Sequence, residues 1–414
     1  MIICQLVLSC SSDGSSDNLD GLSSDIDAIL AQPYSKLSSA EQKVKLEAEA
    51  NSMLVQMDKS KTSGAIEAIQ NLGNLLSIGN VDIFNGKNDN KIEDILNVSG
   101  VYGIYSWNNS TQNWFKTAST TELKFVFPAK INGTTNNASL SSKSTSSNIK
   151  VKIEDSYNYN WQTGVSTTIN DSFYLPTSVD ATLSIGNSQV ATFAANAKYT
   201  GTVEAPDESS FKMVLTDGYT FEISGGKKAT SNTAKSSFTY NGKNLISFNA
   251  GSTADIDALI NDDQLIQYRG KANGLFQIMD NFMIVANMDI ATLASDEDAS
   301  SRNNPYPNYS TNISTYLSNL NTYYKTESND AVASFNKNIK MALVSKIDGA
   351  KIADIIERSE KDYAYYSNGI LVQKYSEVPY LRFGDQSESE MESYFLGFSS
   401  FKTNVENYLK AFER

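Results

Sequence analysis

The residues best equipped for chemistry in this chain are aromatic. Trp107, Trp114 and Trp161, with Tyr102, Tyr105, Tyr157 and Tyr159, fall in segments that read as β-hairpins. A flat ring exposed on a hairpin can cover the apolar face of a sugar, so Trp107, Trp114, Tyr157, Tyr159 and Trp161 are the candidate ligand-binding residues. The run Tyr157-Asn-Tyr159-Asn-Trp161 is the most suggestive, because it alternates aromatic with amide. The competing use of such rings is cross-strand packing, where a pair contributes about 0.2–1 kcal/mol and Trp is mostly buried.

Acid-based chemistry is harder to place. A glycosidase needs two carboxylates facing each other across a cleft, and 47 acidic residues offer no preferred pair. Asp296, Glu297 and Asp298 carry oxygen ligands suited to a hard cation, but their spacing matches no EF-hand. Asp255, Asp257, Asp262 and Asp263 are in the same position, and Asp255 or Asp257 is better suited to a helix N-terminus. The chain contains no histidine, which removes imidazole acid–base catalysis, Ser-His-Asp activation and nearly all familiar zinc sites. No phosphate-binding glycine loop or nucleophile elbow is present. No catalytic residue, metal ligand or cofactor is therefore assigned, and a non-catalytic binding or assembly role is expected. The alternatives are a carrier of an apolar or amphipathic ligand and a carboxylate-based hydrolase.

Thirty-four basic residues against 47 acidic ones give a formal charge of −13. That balance opposes a nucleic-acid footprint, which needs a basic stripe to meet phosphates. The N-terminus reads Met-Ile-Ile-Cys-Gln-Leu-Val-Leu-Ser-Cys10. An apolar run, a small residue at the cut and a thiol to carry acyl chains are what lipid modification requires. This segment resembles the lipobox of bacterial lipoproteins, although no Lys or Arg precedes the short apolar run, so a start upstream of Met1 is expected. Cys4 and Cys10 are the only cysteines, so cleavage before Cys10 leaves a mature chain without free thiol or disulfide. No later stretch approaches the ~20 apolar residues of a membrane helix, which makes lipid the expected anchor.

These sites need elements to carry them. Residues 1–21 read as a signal remnant and polar tether, 22–98 as helical, 99–294 as β-rich and 295–414 as mainly helical. Ser38 and Glu41 have capping-box spacing. Val44, Ala48, Met53, Leu54 and Met57 share one helical face, and Ile66, Ile69, Leu72 and Leu76 share another. Period-two segments begin near Val101, and Asp217-Gly218 and Asn241-Gly242 are hairpin turn signals. Residues 132–148, almost all Asn, Gly, Thr, Ser, Ala and Lys, read as a long loop. Residues 265–294 fit either a helix, with Leu275, Ile278, Met279, Phe282 and Val285 on one face, or two strands turning at Asp280-Asn281, and the long alternation over 271–290 favours the strands. Their even positions, among them Phe276, Phe282 and Ile284, form a core face. The odd positions mix Asn and Asp with Leu275, Met279, Met283 and Val285, which suits a covering helix or a ligand cavity. Residues 295–308 read as a linker. Ile313 to Tyr324 reads as a helix, and Phe335, Ile339 and Leu343 as the next. Residues 370–375 and 378–383 form a small hairpin, and a last amphipathic helix carries Met391, Tyr394, Phe398, Val405, Leu409 and Phe412. The fold class is α+β: an antiparallel, curved sheet flanked by N- and C-terminal amphipathic helices.

The lipobox, the polar tether, the Asn/Ser/Tyr-rich strands and the scarcity of Arg together resemble outer-membrane or surface lipoproteins of the Bacteroidetes. That resemblance covers a compositional type rather than one characterised family. It implies an outer-membrane location with a lipid bilayer as one partner and a glycan or envelope protein as another, on either the periplasmic or the extracellular face. Replacing Cys10 with Ala is expected to move the protein from the membrane to the soluble fraction with its fold intact. Intact mass measurement of membrane-extracted wild type should show an acylated chain lacking residues 1–9, and retention of Met1 would refute it.

Overall fold

The computed structural model describes residues 19–78, 83, 91–229, 231–261, 269–396, 403 and 406. The lipobox, the tether as far as residue 18, Asp262, Asp263, Phe398, Val405, Leu409 and Phe412 lie outside them, and residues 19–21 of the expected tether begin the first helix.

Among the described residues the α-helices α1 (Leu19–Leu30), α2 (Ser39–Asp58), α3 (Gly64–Ile78) and the short α4 (Ile92–Leu96) precede the sheet. The Ser38–Glu41 capping box is formed, with the Ser38 amide donating to Glu41 Oε2 at 2.8 Å and the Glu41 amide to Ser38 Oγ at 3.3 Å. Along α2 the buried positions are Gln42, Leu46, Ala50, Met53 and Leu54, whereas Val44, expected on that face, is exposed.

Sixteen strands then form one mixed sheet in the order β16-β15-…-β4-β3-β1-β2. All neighbours are antiparallel except β1 (Gly103–Asn108) and β3 (Leu123–Phe127), which are parallel because β2 (Asn113–Thr117) folds back outside β1. The order is otherwise that of the chain, each strand returning beside its predecessor, even where helices intervene between β10 and β11 and between β12 and β13. At the turn Asn241-Gly242 both residues have positive φ, 50° and 74°, the geometry of a type I′ turn. The two ends of the sheet do not pair. The curved sheet expected from the sequence is corrected to an open sheet, neither closed nor curled.

Further expectations change. Residues 138–148 belong to β4 (Ala138–Asn160), which pairs with β5 (Val165–Ile185). A ladder needs only backbone groups, and Ala138, Leu140 and the small Ser142 supply the buried face while Lys143 is exposed. Residues 290–303 form helix α6 (Ile290–Asn303), started by Asp289 accepting from the Thr292 amide at 3.0 Å. The region expected to be mainly helical contributes four strands. Helix α7 (Ile313–Asn338) keeps Phe335, but Ile339 and Leu343 lie on β13 (Ile339–Ser345), and 370–383 is a single strand, β15 (Ile370–Phe383), paired with β14 (Ala350–Ser367). Strand β16 (Glu388–Glu390) and helix α8 (Met391–Leu396) follow.

The register lines up apolar side chains across the sheet. Ala181 of β5, Phe193 of β6 (Ser188–Lys198), Met213 of β7 (Glu208–Leu215) and Phe221 of β8 (Tyr219–Gly226) are successive partners. Phe238 of β9 (Asn232–Tyr240), Ile246 of β10 (Lys243–Ser252), Ile278 of β11 (Lys271–Ile278) and Phe282 of β12 (Phe282–Asp289) continue the row. Over β1–β6 this face packs beneath α3 through Leu72, Leu75 and Leu76. Helix α1 lies on the opposite face, where Ile26 meets Met283, Val285, Ala342 and Val344. The odd positions of 271–290 are thus covered by a helix.

The segment between α1 and α2 crosses the strand ends. Tyr34 forms a bridge with Lys351, and its hydroxyl donates to Asp354. Burial pushes the Asp354 carboxyl up, but Tyr34, Lys351 and Arg382 outweigh it and hold the group below its ordinary range. Gly384 is required beside this crossing, because a Cβ there would sit 2.7 Å from that of Tyr34.

Helix α7 lies across the β14–β15 ribbon and is clamped at both its edges. The Asn321 amide donates to Leu371 O at 2.9 Å and accepts from the Gln373 amide at 2.7 Å. Asn336 does the same to Glu357, at 3.0 and 2.9 Å. Each asparagine thereby replaces a missing strand. Asn321→Ala and Asn336→Ala should each lower stability by about 1–2 kcal/mol, read by urea denaturation, while an exposed control, Asn319→Ala, stays near wild type.

Candidate functional site

Strand β4 pairs with β3 only as far as Ser142, and β5 pairs with β6 only from Ser178 onward. Residues 150–174 therefore pair only with each other, apart from the Ser99 bridge to Tyr174. They form a two-stranded arm about 30 Å long at ~3.3 Å per residue. Ser99 holds its base, donating to Tyr174 O from its amide at 3.1 Å and from Oγ at 2.7 Å.

The arm turns at 161–164, where Asn160 O accepts from the Gly164 amide at 2.8 Å and Gly164 takes a φ of 68°. Asn160 Oδ1 also accepts from the Gln162 amide at 2.9 Å. This turn presents Trp161, 88% exposed, and Tyr159, 38% exposed, with ring centroids 4.8 Å apart and edge to face. Tyr157 sits opposite Thr168 in the register, and its side chain lies outside the described residues. Tyr159 and Trp161 are thus brought together at the tip.

Trp107 and Trp114, expected on the same platform, are not there. They are cross-strand partners on β1 and β2, 5.3 Å apart and edge to face, and 3% and 7% exposed. Trp114 Nε1 donates to Leu75 O of α3 at 3.1 Å, and Phe125 packs against the same ring. Tyr105 is fully buried as well, stacked on Phe125. Covering by α3 explains the difference: the β1–β2 hairpin lies under that helix, whereas residues 158–168 at the tip of the arm are exposed. As ligand contacts, Trp107 and Trp114 are corrected to core.

The acidic candidates are engaged in structural contacts. Asp255 Oδ1 accepts from the Ala258 amide at 3.0 Å, opening the short helix α5 (Ile256–Asn261). Asp257 pairs with Lys227. Asp296 accepts from Lys337 Nζ at 2.8 Å and Asn338 Nδ2 at 2.7 Å, and these donors hold its carboxyl below the ordinary range. Asp298 pairs with Arg302. Among the described residues no group of three or more acids, cysteines or histidines is disposed to hold a metal ion, and no helix is long and apolar enough to cross a membrane.

Sequence reasoning missed a second feature, on the even positions of 271–290. Beyond the reach of α3, the sheet face carries an open apolar hollow of about 420 Å³, lined by Phe248, Ala250, Phe276, Ile284, Met288 and Met341. A neighbouring hollow of about 640 Å³ lies over Leu175, Tyr199, Phe211 and Ile223, and both reach Ala234. Ala234, Ala250, Gly274 and Ala286 are cross-strand partners, so a row of small side chains makes the floor. The alternation of small and large residues is visible in the sequence, but that none of the described helices covers this part of the face is not. Comparison with family models, curated proteins and solved structures finds no match for this chain.

Proposed function

We propose that the protein is an envelope lipoprotein, tethered through acylated Cys10 at the outer membrane, that binds a glycan through Tyr159 and Trp161 at the tip of the β4–β5 arm. The observation that carries this is the 88% exposure of Trp161 at the end of a ribbon that has no other strand beside it among the described residues. An isolated two-stranded ribbon is marginal in water, and a large exposed aromatic at its tip adds no folding energy. Both make sense as features held for a ligand. The nearby Asn158 and Asn160, exposed beside the rings, offer amides that donate to and accept from sugar hydroxyls. The tether and the absence of histidine favour capture over turnover.

Binding of the wild-type protein on a glycan array should be lost or weakened at least about tenfold in Trp161→Ala, as a buried aromatic contact implies. Stability of that variant should remain within about 0.5 kcal/mol. Unchanged binding in Trp161→Ala, or no glycan bound by wild type, would refute the assignment.

A second function, carriage of an apolar or amphipathic envelope ligand, is supported by the almost wholly apolar hollow around Phe248, Phe276 and Ile284 and by its size, within the usual range for small-molecule sites. Native mass spectrometry of protein taken from its own envelope should then show a bound lipid that Ala250→Trp, filling the floor, displaces. A ligand-free spectrum would count against carriage.

A further inference from the structure

At the strand ends of β6–β9, on the face turned away from α3, the sheet carries a hollow of a different kind, about 390 Å³ in volume. Asn196, Ser210, Ser224 and Lys235 are successive cross-strand partners, and so are Lys198, Glu208, Gly226 and Thr233. Partners share a face. Asn196 stands three residues from Phe193, which packs into the core beneath α3, so alternation turns both rows the other way. Apart from Ala197 and two glycines, the lining consists of hydroxyls, one amide, three lysines and one carboxylate. That balance is opposite to the balance of the molecule. Residues 101–254 hold twelve lysines against ten acids, so the excess of negative charge lies outside them. The acids near the hollow have cationic partners: Glu208 pairs with Lys198 at 3.3 Å, Asp207 and Asp257 with Lys227, and Glu222 with Lys212. Glu204 belongs to the lining of the apolar hollow on the other face. Lys228 is exposed and has no carboxylate partner among the described residues.

We infer that this hollow takes the acid groups of the glycan, which is therefore an acidic polysaccharide bearing carboxylate or sulfate. The inference rests on the glycan reading of the arm and adds the class of sugar. Ammonium groups donate charge-assisted hydrogen bonds to anionic oxygens, and the serine and threonine hydroxyls around them donate to and accept from sugar hydroxyls. An apolar ligand finds almost no apolar side chain here. The acidic remainder of the molecule does not prevent approach, because at physiological ionic strength its field is screened beyond about 8 Å. The hollow also lies at the foot of the arm. Ser178, where β5 rejoins β6, is the cross-strand partner of Asn196. A polymer lying along the arm thus meets the rings at its tip and the lysines at its base.

The test is binding of the full chain to polygalacturonate, to dextran sulfate and to neutral dextran, followed by interferometry. At least one polyanion should bind, more tightly than dextran, and the preferred one assigns the acid group. Lys228→Glu should weaken that binding by at least about tenfold, because it sets a like charge against the ligand. Lys243→Glu, exposed at the far end of β9, should leave it unchanged. Both substitutions are at the surface, so both variants should keep the wild-type melting curve. Dextran bound as tightly as either polyanion, or polyanion binding indifferent to Lys228→Glu, would overturn the inference. So would capture of phosphatidylglycerol vesicles in place of both polymers, since the lysines would then serve a lipid headgroup. Trp161→Ala separates the two readings. Polyanion binding lost in Lys228→Glu but kept in Trp161→Ala would remove the tip and leave the hollow, whereas glycan binding lost only in Trp161→Ala would do the reverse.

Discussion

One row of side chains governs the architecture: Ala181, Phe193, Met213, Phe221, Phe238, Ile246, Ile278 and Phe282, paired strand to strand across half of the sheet. Because side chains alternate faces with a period of two, a slip of one residue anywhere in the meander would turn this row toward the wrong side. The hairpin turns hold that register. The helices are then distributed according to which face is left apolar. α3 covers one face over the early strands, and α1 covers the other over β11–β13. The chain must cross the strand ends between them, and the Tyr34–Asp354 contact and the close approach to Gly384 are consequences of that crossing.

An open sheet this wide also leaves hairpins that outrun their neighbours, and the molecule treats its two long ones differently. The β14–β15 ribbon is crossed by α7, whose Asn321 and Asn336 satisfy the backbone on both of its free edges. The β4–β5 arm is held at its base by the Ser99 bridge and by Phe173 and Val151, which pack against the main core. Exposed backbone edges invite pairing with other chains, so a helix across one ribbon protects it. The first ribbon supports the tyrosines of α7, with Lys374 over the Tyr324 ring, and the arm carries Trp161 at its tip. Both long hairpins turn at the same strand ends of the meander, because β4 and β14 run in the same direction.

Much of this architecture is legible in the amino-acid sequence. The capping box at Ser38 and Glu41, the Asn241-Gly242 turn and the two strands of 271–290 depend on neighbours in sequence, and local backbone chemistry determines them. The absence of histidine and the acidic balance likewise exclude whole classes of chemistry from composition alone. Features that depend on partners far along the chain are not legible in this way. Residues 138–148 read as a loop because they are poor in apolar side chains, yet a ladder draws its hydrogen bonds from the backbone whatever the side chain. Ile339 and Leu343 continue the helical spacing of α7 but lie on β13, since β12 and β14 offer edges on both sides. Trp107 and Trp161 are equivalent as letters. Only the packing of α3 over β1 and β2 makes one of them core and leaves the other at the tip of the arm, because burial depends on which distant element covers a strand, and no local pattern encodes that.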